Sequence, residues 1–284
     1  MIVASLLTRH PSLFARLEWS AVTSRKYASD NDTFGQEFAY ILDTLSHLPT
    51  LFHQQDIITQ CSGPKSSSIP IIHSSSLSKL QSLLDHALNL LNGIQVKMKQ
   101  WRIAYPDTEF STFPRASIPS AQPYPCAVVT HYSSEHRAYL STFYNTSIIL
   151  FNQFVLSINE LLPNNPQTVN MATLASGRIT FAVIEILRSV DYSMNYIGES
   201  AGEIYYVLFP IRIAYQALSK STSAEAISQK LWIEDMLSFI SGKAGSWTYN
   251  KKIFGVEIIG SPKTQKLGFT SQALTSPSDI KDSQ

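Results

Sequence analysis

Gly198 to Trp232 reads GESAGEIYYVLFPIRIAYQALSKSTSAEAISQKLW, and the fold class turns on how this stretch is taken. From Ile204 to Ile211 the chain is apolar apart from Pro210. Charge returns only at Arg212, and Ala214, Tyr215, Ala217 and Leu218 continue at helical spacing. A proline inside a helix removes one backbone hydrogen bond and crowds the preceding turn. It also pushes the residue before it away from helical geometry. Phe209-Pro210 therefore marks either a kink in one long helix or the first turn of a new one. Both readings predict a bent helix, apolar all round, as the most deeply buried element at the centre of a helical domain.

The same stretch opens with Gly198-Glu199-Ser200-Ala201-Gly202, a full match to the G-x-S-x-G nucleophile elbow. That chemistry needs a serine on a strained strand-to-helix turn, an upstream oxyanion loop, and an acid and a histidine later in the chain. Here all seven histidines (His10, His47, His53, His73, His86, His131 and His136) precede Ser200, and no His-Gly-Gly loop occurs. The segment before the motif, Asp191 to Ile197, is not a β-branched strand. A serine hydrolase using Ser200 is thus set behind a simpler reading, in which Gly198 and Gly202 mark a helix boundary.

Working outward, the cleanest pattern lies upstream. Leu77, Leu80, Leu84, Ala87, Leu91, Ile94, Met98 and Trp101 fall at alternating three- and four-residue steps, an a/d stripe that predicts a helix of roughly 40 Å at ~1.5 Å per residue. Such a helix is read as packing inside a bundle rather than as an intermolecular coiled coil. Before it, a short helix is expected from Pro11 to Val22. A second starts at Asp32 or Thr33, with Phe34, Phe38, Ile41, Leu42, Leu45 and Leu48 on one face, ending or bending at Pro49, and Leu51–Thr59 reads as a further helix. Residues 62–76 (SGPKSSSIPIIHSSS) and the proline-rich 105–127 are predicted to be flexible loops, irregular throughout. A long helix follows from Ser133 to Leu162 and stops at Pro163. The next, opening at Thr168 or Asn170, carries Leu174, Ile179, Phe181, Ile184, Ile186 and Leu187. A Trp232 helix completes the set, and residues 261–284 read as a disordered tail. The prediction is one all-α domain over 1–260, a single irregular multi-helix bundle.

Composition agrees. The chain has 284 residues, 44% hydrophobic and 15% charged, with few glycines, so it can bury a full core and favours helices. A net charge of +1 gives no global attraction to nucleic acid or anionic membrane. Two distant cysteines, Cys61 and Cys126, support no disulfide framework and suggest a reducing compartment. The Ile2–Leu7 run is short for a signal peptide, and no apolar stretch approaches the ~20 residues of a membrane span. The chain is therefore expected to be soluble and intracellular, and the sequons at Asn31 and Asn145 are read as chance.

Other chemistries are weighed and set aside. Cys126, His131 and His136 stand five apart, whereas helical ligand pairs take three- or four-residue steps and zinc sites use tight Cys/His pairs, so a surface and loop-anchoring role is expected for them. An isoprenoid-type cyclase would need clustered carboxylates for magnesium. No Asp-Asp-x-x-Asp occurs, and Gly35 follows Asn31-Asp32 where the second motif needs Ser or Thr. Lys97, Lys99 and Arg102, and Lys251-Lys252, are modest basic patches read as solvated faces. No catalytic, cofactor-binding or metal-ligating residue is proposed from the sequence.

One resemblance remains. Phe209, Pro210, Ile211 and Ala214, a polar gap, then Trp232, Leu237 and Ile240 followed by Gly242 resemble the C-terminal part of the fungal-specific transcription factor domain. That domain is the helical regulatory region downstream of a six-cysteine binuclear zinc cluster. Leu48-Pro49-Thr50-Leu51 is similar to a helix-ending turn at a comparable place in the family. The likeness is loose and runs over residues 12–245. The six-cysteine cluster, which in the family reads DNA, is lacking, so no direct DNA binding by this chain follows. The resemblance implies a nuclear role in transcription, tied to a metabolic or secondary-metabolite gene cluster, exercised through protein partners, a homodimer or a small-molecule effector. The alternatives are a scaffold protein without a role in transcription, and a piece of a longer gene whose zinc cluster lies upstream of Met1.

Overall fold

The computed structural model describes residues 33–60, 74–106, 109–114, 120, 122–163, 166–196, 201–219 and 221–243. Among them are six α-helices and one two-stranded sheet: α1 (Thr33–Gln60), α2 (Ser74–Ala104), β1 (Glu109–Thr112), β2 (Val129–Tyr132), α3 (Glu135–Asn159), α4 (Pro166–Tyr196), α5 (Ala201–Ser219) and α6 (Ala224–Lys243). The all-α expectation holds, with the small hairpin as its one departure. The readings at Pro11–Val22, Asn31, Ser200, Cys61 and residues 261–284 fall outside the described residues.

The a/d stripe of α2 is buried as its spacing requires. Leu80, Leu84, Ala87, Leu91, Ile94, Met98 and Trp101 are all buried, and each larger aliphatic side chain stabilises the fold by roughly 1.5–3 kcal/mol relative to exposure. The helix also takes in Ser74, Ser75 and Ser76, residues assigned above to a flexible linker.

Pro49 does not end α1; it lies inside a single helix of 28 residues. The lost hydrogen bond is outweighed because Leu45 and Leu48 before the proline and Leu51 and Phe52 after it all enter one core. Phe52 meets Phe154 edge to face at 5.2 Å. Pro210 likewise sits within α5, not at a break between helices.

The central element is α3, not the Gly198–Trp232 stretch. It packs against α1, α2, α4, α5 and β2, and its buried set includes Leu140, Phe143, Ile148, Ile149, Leu150, Phe151, Phe154, Val155 and Ile158. By contrast α5 packs on α3, α4 and α6, and its Phe209 and Tyr215 are only partly buried. Polar residues conceal this role of α3 in the sequence. Thr142, Asn145, Thr146, Ser147 and Asn152 are buried, yet each side chain donates to the carbonyl four residues back, at 2.7–2.9 Å. A buried donor that finds an acceptor within its own helix carries little penalty. Asn145 is thereby occupied inside the core, away from solvent.

The helix α4 lies along α3 and carries the hairpin on its C-terminal half. Its buried face is Ala175, Ala182, Val183, Ile186, Leu187 and Val190, whereas Leu174 and Phe181 are exposed. From Pro166 to Met194 it is long and apolar enough to cross a membrane by length and composition alone, contrary to the expectation that no such stretch exists.

Residues 105–127 are neither wholly irregular nor free. Glu109–Thr112 pairs antiparallel with Val129–Tyr132, Glu109 opposite Tyr132 and Phe110 opposite His131. The proline-free tetrad between Pro106 and Pro114 leaves its N–H groups available for the ladder. Beyond it, Ser120 Oγ donates to Asp235 Oδ2 at 2.7 Å, Ser228 Oγ donates to Gln122 Oε1 at 3.2 Å, and Tyr124 Oη donates to the Leu187 carbonyl at 3.2 Å. The Tyr124 ring also rests edge-on against Trp232 at 4.9 Å. Ser120, Gln122 and Tyr124 thus tie the described residues here to α4 and α6, and Pro123 and Pro125 beside them lower the entropy lost in holding them there.

Candidate functional site

Chemistry-bearing side chains concentrate at one end of the bundle, where the last turn of α2, the hairpin, the first turn of α3 and the C-terminal half of α4 meet. Two groups of residues form this junction.

The first holds the hairpin to α4. His131, on β2, sets Nε2 3.2 Å from Asp191 Oδ2. Asp191 is fully buried, and the His131 side chain is 10% exposed. The imidazole is flanked by Phe110 at 5.6 Å and, edge-on, by Tyr192 at 5.5 Å, and Tyr192 also packs edge-on against Tyr132 at 5.3 Å. Burial raises the Tyr132 phenol above its ordinary range, with a hydrogen bond to Ser141 acting the other way. One turn earlier, Arg188 donates from Nε to the Val128 carbonyl at 3.3 Å and from Nη2 to Ser111 Oγ at 3.2 Å. Its Nη1 lies 2.8 Å from Glu185. One guanidinium thus ties both sides of the hairpin to the helix.

The second group is built around Arg137. Ser134 caps α3 with extended backbone (φ −158°) and accepts from the Arg137 N–H, which fixes Arg137 in the third position of the helix. Its guanidinium carbon lies 4.4 Å over the Tyr105 ring and 5.0 Å over the Trp101 ring. The two rings stand 6.3 Å apart and tilted by 43°, so the cation sits in the notch between them, an arrangement favourable for cation–π attraction. Trp101 and Tyr105 come four residues apart off α2, where the Tyr105 N–H still donates to the Trp101 carbonyl at 3.0 Å. Nearby in the chain, Arg102 pairs with Glu109 at 3.4 Å and lies 5.9 Å over Tyr144. Three polar atoms here are buried without a hydrogen-bond partner: Trp101 Nε1, Arg137 Nη1 and Glu109 Oε1.

The residues that tempt a metal or nucleophile reading are placed apart in role. Cys126 is buried, and burial pushes its thiol up to about 11, with Arg188 opposing. A thiol held that far above neutrality is inert at physiological pH. His131 is not a surface residue as expected but part of the buried clasp, whereas His136 is exposed in the first turn of α3. Among the described residues no group of three or more His, Cys, Asp or Glu side chains is arranged to hold a metal. Nor, among them, is a hydroxyl or thiol hydrogen-bonded to His131, whose ring nitrogen meets Asp191. Sequence reasoning passed over Arg137, gave Asp191 no role, and read Trp101 only as a core position of the a/d stripe. The available signal was Ser134-x-x-Arg137 at a helix start combined with Trp101-x-x-x-Tyr105 at the end of the preceding helix.

A second feature lies on the opposite side of α4. Val169, Leu174 and Phe181 are 59%, 54% and 62% exposed. Between the last two, Gly177 faces open space, with nothing within 4 Å of where a Cβ would sit. Comparison with family models, curated proteins and solved structures returns no match to this chain.

Proposed function

We propose that the chain is a helical regulatory domain similar to that of fungal zinc-cluster transcription factors, acting in the nucleus on metabolic or secondary-metabolite genes. In this reading it works through protein contact and a small-molecule effector, without covalent chemistry or direct DNA binding of its own. The observation that supports the protein-contact part of the reading is the outer face of α4, an apolar surface on a helix otherwise well anchored to the core; the transcriptional part rests on the sequence resemblance.

The occupant that this face fits is a second copy of the chain. In an antiparallel crossing centred on Ile179, Phe181 of each copy falls over Gly177 of the other, where the backbone is open, and Leu174 falls against the half-buried Ile184. Projection meets dimple twice by symmetry. The part of the helix not covered by the hairpin, 166–184, is roughly 28 Å long; with a strip ~10 Å wide it covers about 300 Å² a side, at the low end of weak, concentration-dependent association.

Two measurements test the proposal. Sedimentation of the purified chain from 1 to about 200 μM should show reversible dimerisation that Phe181→Glu abolishes; a monomer throughout refutes the dimer. A tagged chain should be nuclear and, fused to a heterologous DNA-binding domain, should alter a reporter's output. Nuclear exclusion would instead favour a scaffold with no role in transcription.

A further inference from the structure

We propose that the notch holding Arg137 is a binding site for a small organic carboxylate, whose two oxygens accept hydrogen bonds from Arg137 Nη1 and Trp101 Nε1. The inference deepens the regulatory reading by naming the class of its effector and rests on that reading for its biological meaning. The binding itself stands on geometry alone.

Both donors are buried without an acceptor, and Trp101 is 98% buried, with a relative exposure of 2%. A buried N–H left unmatched is costly, more so when it belongs to a charged group, so an acceptor reaching both would relieve two such costs at once. With the guanidinium carbon 5.0 Å over the indole, both donors belong to the same notch.

Charge points the same way. The neighbouring Arg102 is matched by Glu109, and Arg188 is matched by Glu185. Among the described residues Arg137 has no carboxylate partner, so the notch carries one unmatched positive charge. A monoanion balances it, whereas a phosphate dianion would leave a surplus. Arg137 also occupies the first turn of α3, held there by the Ser134 cap. A helix N-terminus disfavours a cation and favours an anion, so the helix adds to the attraction for an acid. Planarity completes the match: a guanidinium presents paired N–H groups in a plane, the geometry of a carboxylate. Arg137 and Tyr105 are half-buried, so the rim of the notch meets solvent while the two donor atoms lie beneath it.

The test uses the full chain labelled with ¹⁵N, in which the Trp101 indole N–H is assigned by its loss in Trp101→Phe. Sodium acetate, sodium benzoate, sodium phosphate and sodium chloride are titrated at matched ionic strength. The carboxylates should move the Trp101 indole resonance saturably, raise the melting temperature, and protect the indole proton from exchange with water. Chloride should do none of these, and phosphate at most a tenth as well. Arg137→Gln should abolish saturation while circular dichroism shows a folded chain. Trp101→Phe should weaken the carboxylate-induced thermal shift about tenfold in apparent affinity, and Arg137→Lys should retain part of the response. Equal effects of chloride and acetate, an unmoved indole resonance, or a saturable shift that survives Arg137→Gln would overturn the proposal. So would an indole proton showing contact with a long-lived water that carboxylate does not displace. Dimerisation and reporter activity are read separately, so failure of the regulatory reading leaves this binding intact and failure of binding leaves that reading standing.

Discussion

Replacing Asp191 by asparagine tests the clasp between the hairpin and α4. Asp191 is fully buried and its Oδ2 stands 3.2 Å from His131 Nε2. Disturbing a buried hydrogen-bonded pair by altering one member costs about 1–3 kcal/mol, because the other member keeps its desolvation penalty. For a domain of this size ~1 kcal/mol moves the melting temperature by about 2–4 °C, so the expected loss is roughly 2–12 °C. Replacing both residues with leucine removes both penalties and should recover most of that loss. The assay is urea unfolding of the wild type, Asp191→Asn, His131→Leu, and the combined variants, read as midpoints at constant slope. The cycle should return a coupling above ~1 kcal/mol between positions 131 and 191. A loss below ~1 kcal/mol for Asp191→Asn, or a coupling within the ~0.5 kcal/mol typical of independent sites, would show that the pair does not hold the hairpin.

Gly177→Ala should raise the melting temperature of the monomer, since nothing obstructs the added methyl and alanine exceeds glycine in helix propensity by ~1 kcal/mol; at high concentration the same change should weaken self-association. In a Cys61→Ser background, alkylation of Cys126 by iodoacetamide at pH 8 should run at least about a hundredfold slower than in the urea-unfolded chain, because burial lifts the thiol from 9.0 to about 11. The linked stability effect has a definite sign. The folded state holds the proton more tightly, so this contribution is fully present below about pH 9 and is lost as pH rises toward about 11; a Cys126→Ala control should remove that part of the alkaline decline. Thr146→Val should change stability by less than ~1 kcal/mol, because the hydroxyl serves only the Thr142 carbonyl at 2.8 Å and valine fills the same volume. A larger loss, read by the urea midpoint, would mean that the hydroxyl meets a further buried acceptor.

The legible parts of the fold are those in which a side chain's partner is implied by periodicity alone. The stripe from Leu80 to Trp101 needs only a helix to put it on one face, and it is buried as read. The role of α3 was hidden because hydropathy counts Thr146 or Asn152 as surface residues, whereas each answers to a carbonyl of its own helix. At Pro49 the reading left two outcomes, an end or a bend, and the apolar residues on both sides, joined in one core, rule out the end by carrying the helix through. Leu174 and Phe181 counted as core by composition, yet α4 turns the face carrying Ala182 and Val183 inward. At the junction little could be read. Arg137 meets Trp101 and Tyr105 across more than thirty residues of chain, and His131 meets Asp191 across sixty; the local patterns at Ser134-Arg137 and Trp101-Tyr105 mark helix ends, but nothing in one sequence pairs them.

The placement of α3 also bears on how the molecule can be divided. Helices α1 and α2 reach it from one part of the chain and α4 and α5 from another, so 135–159 serves as the common axle of both groups. A chain that ends before Glu135 leaves the Leu80–Trp101 stripe facing water, and one that starts after Asn159 does the same to Val183, Ile186 and Leu187. Neither severed part should be a well-behaved soluble species alone. Mixed as complementary pieces, they should regain a folded state only when one of them carries this helix whole.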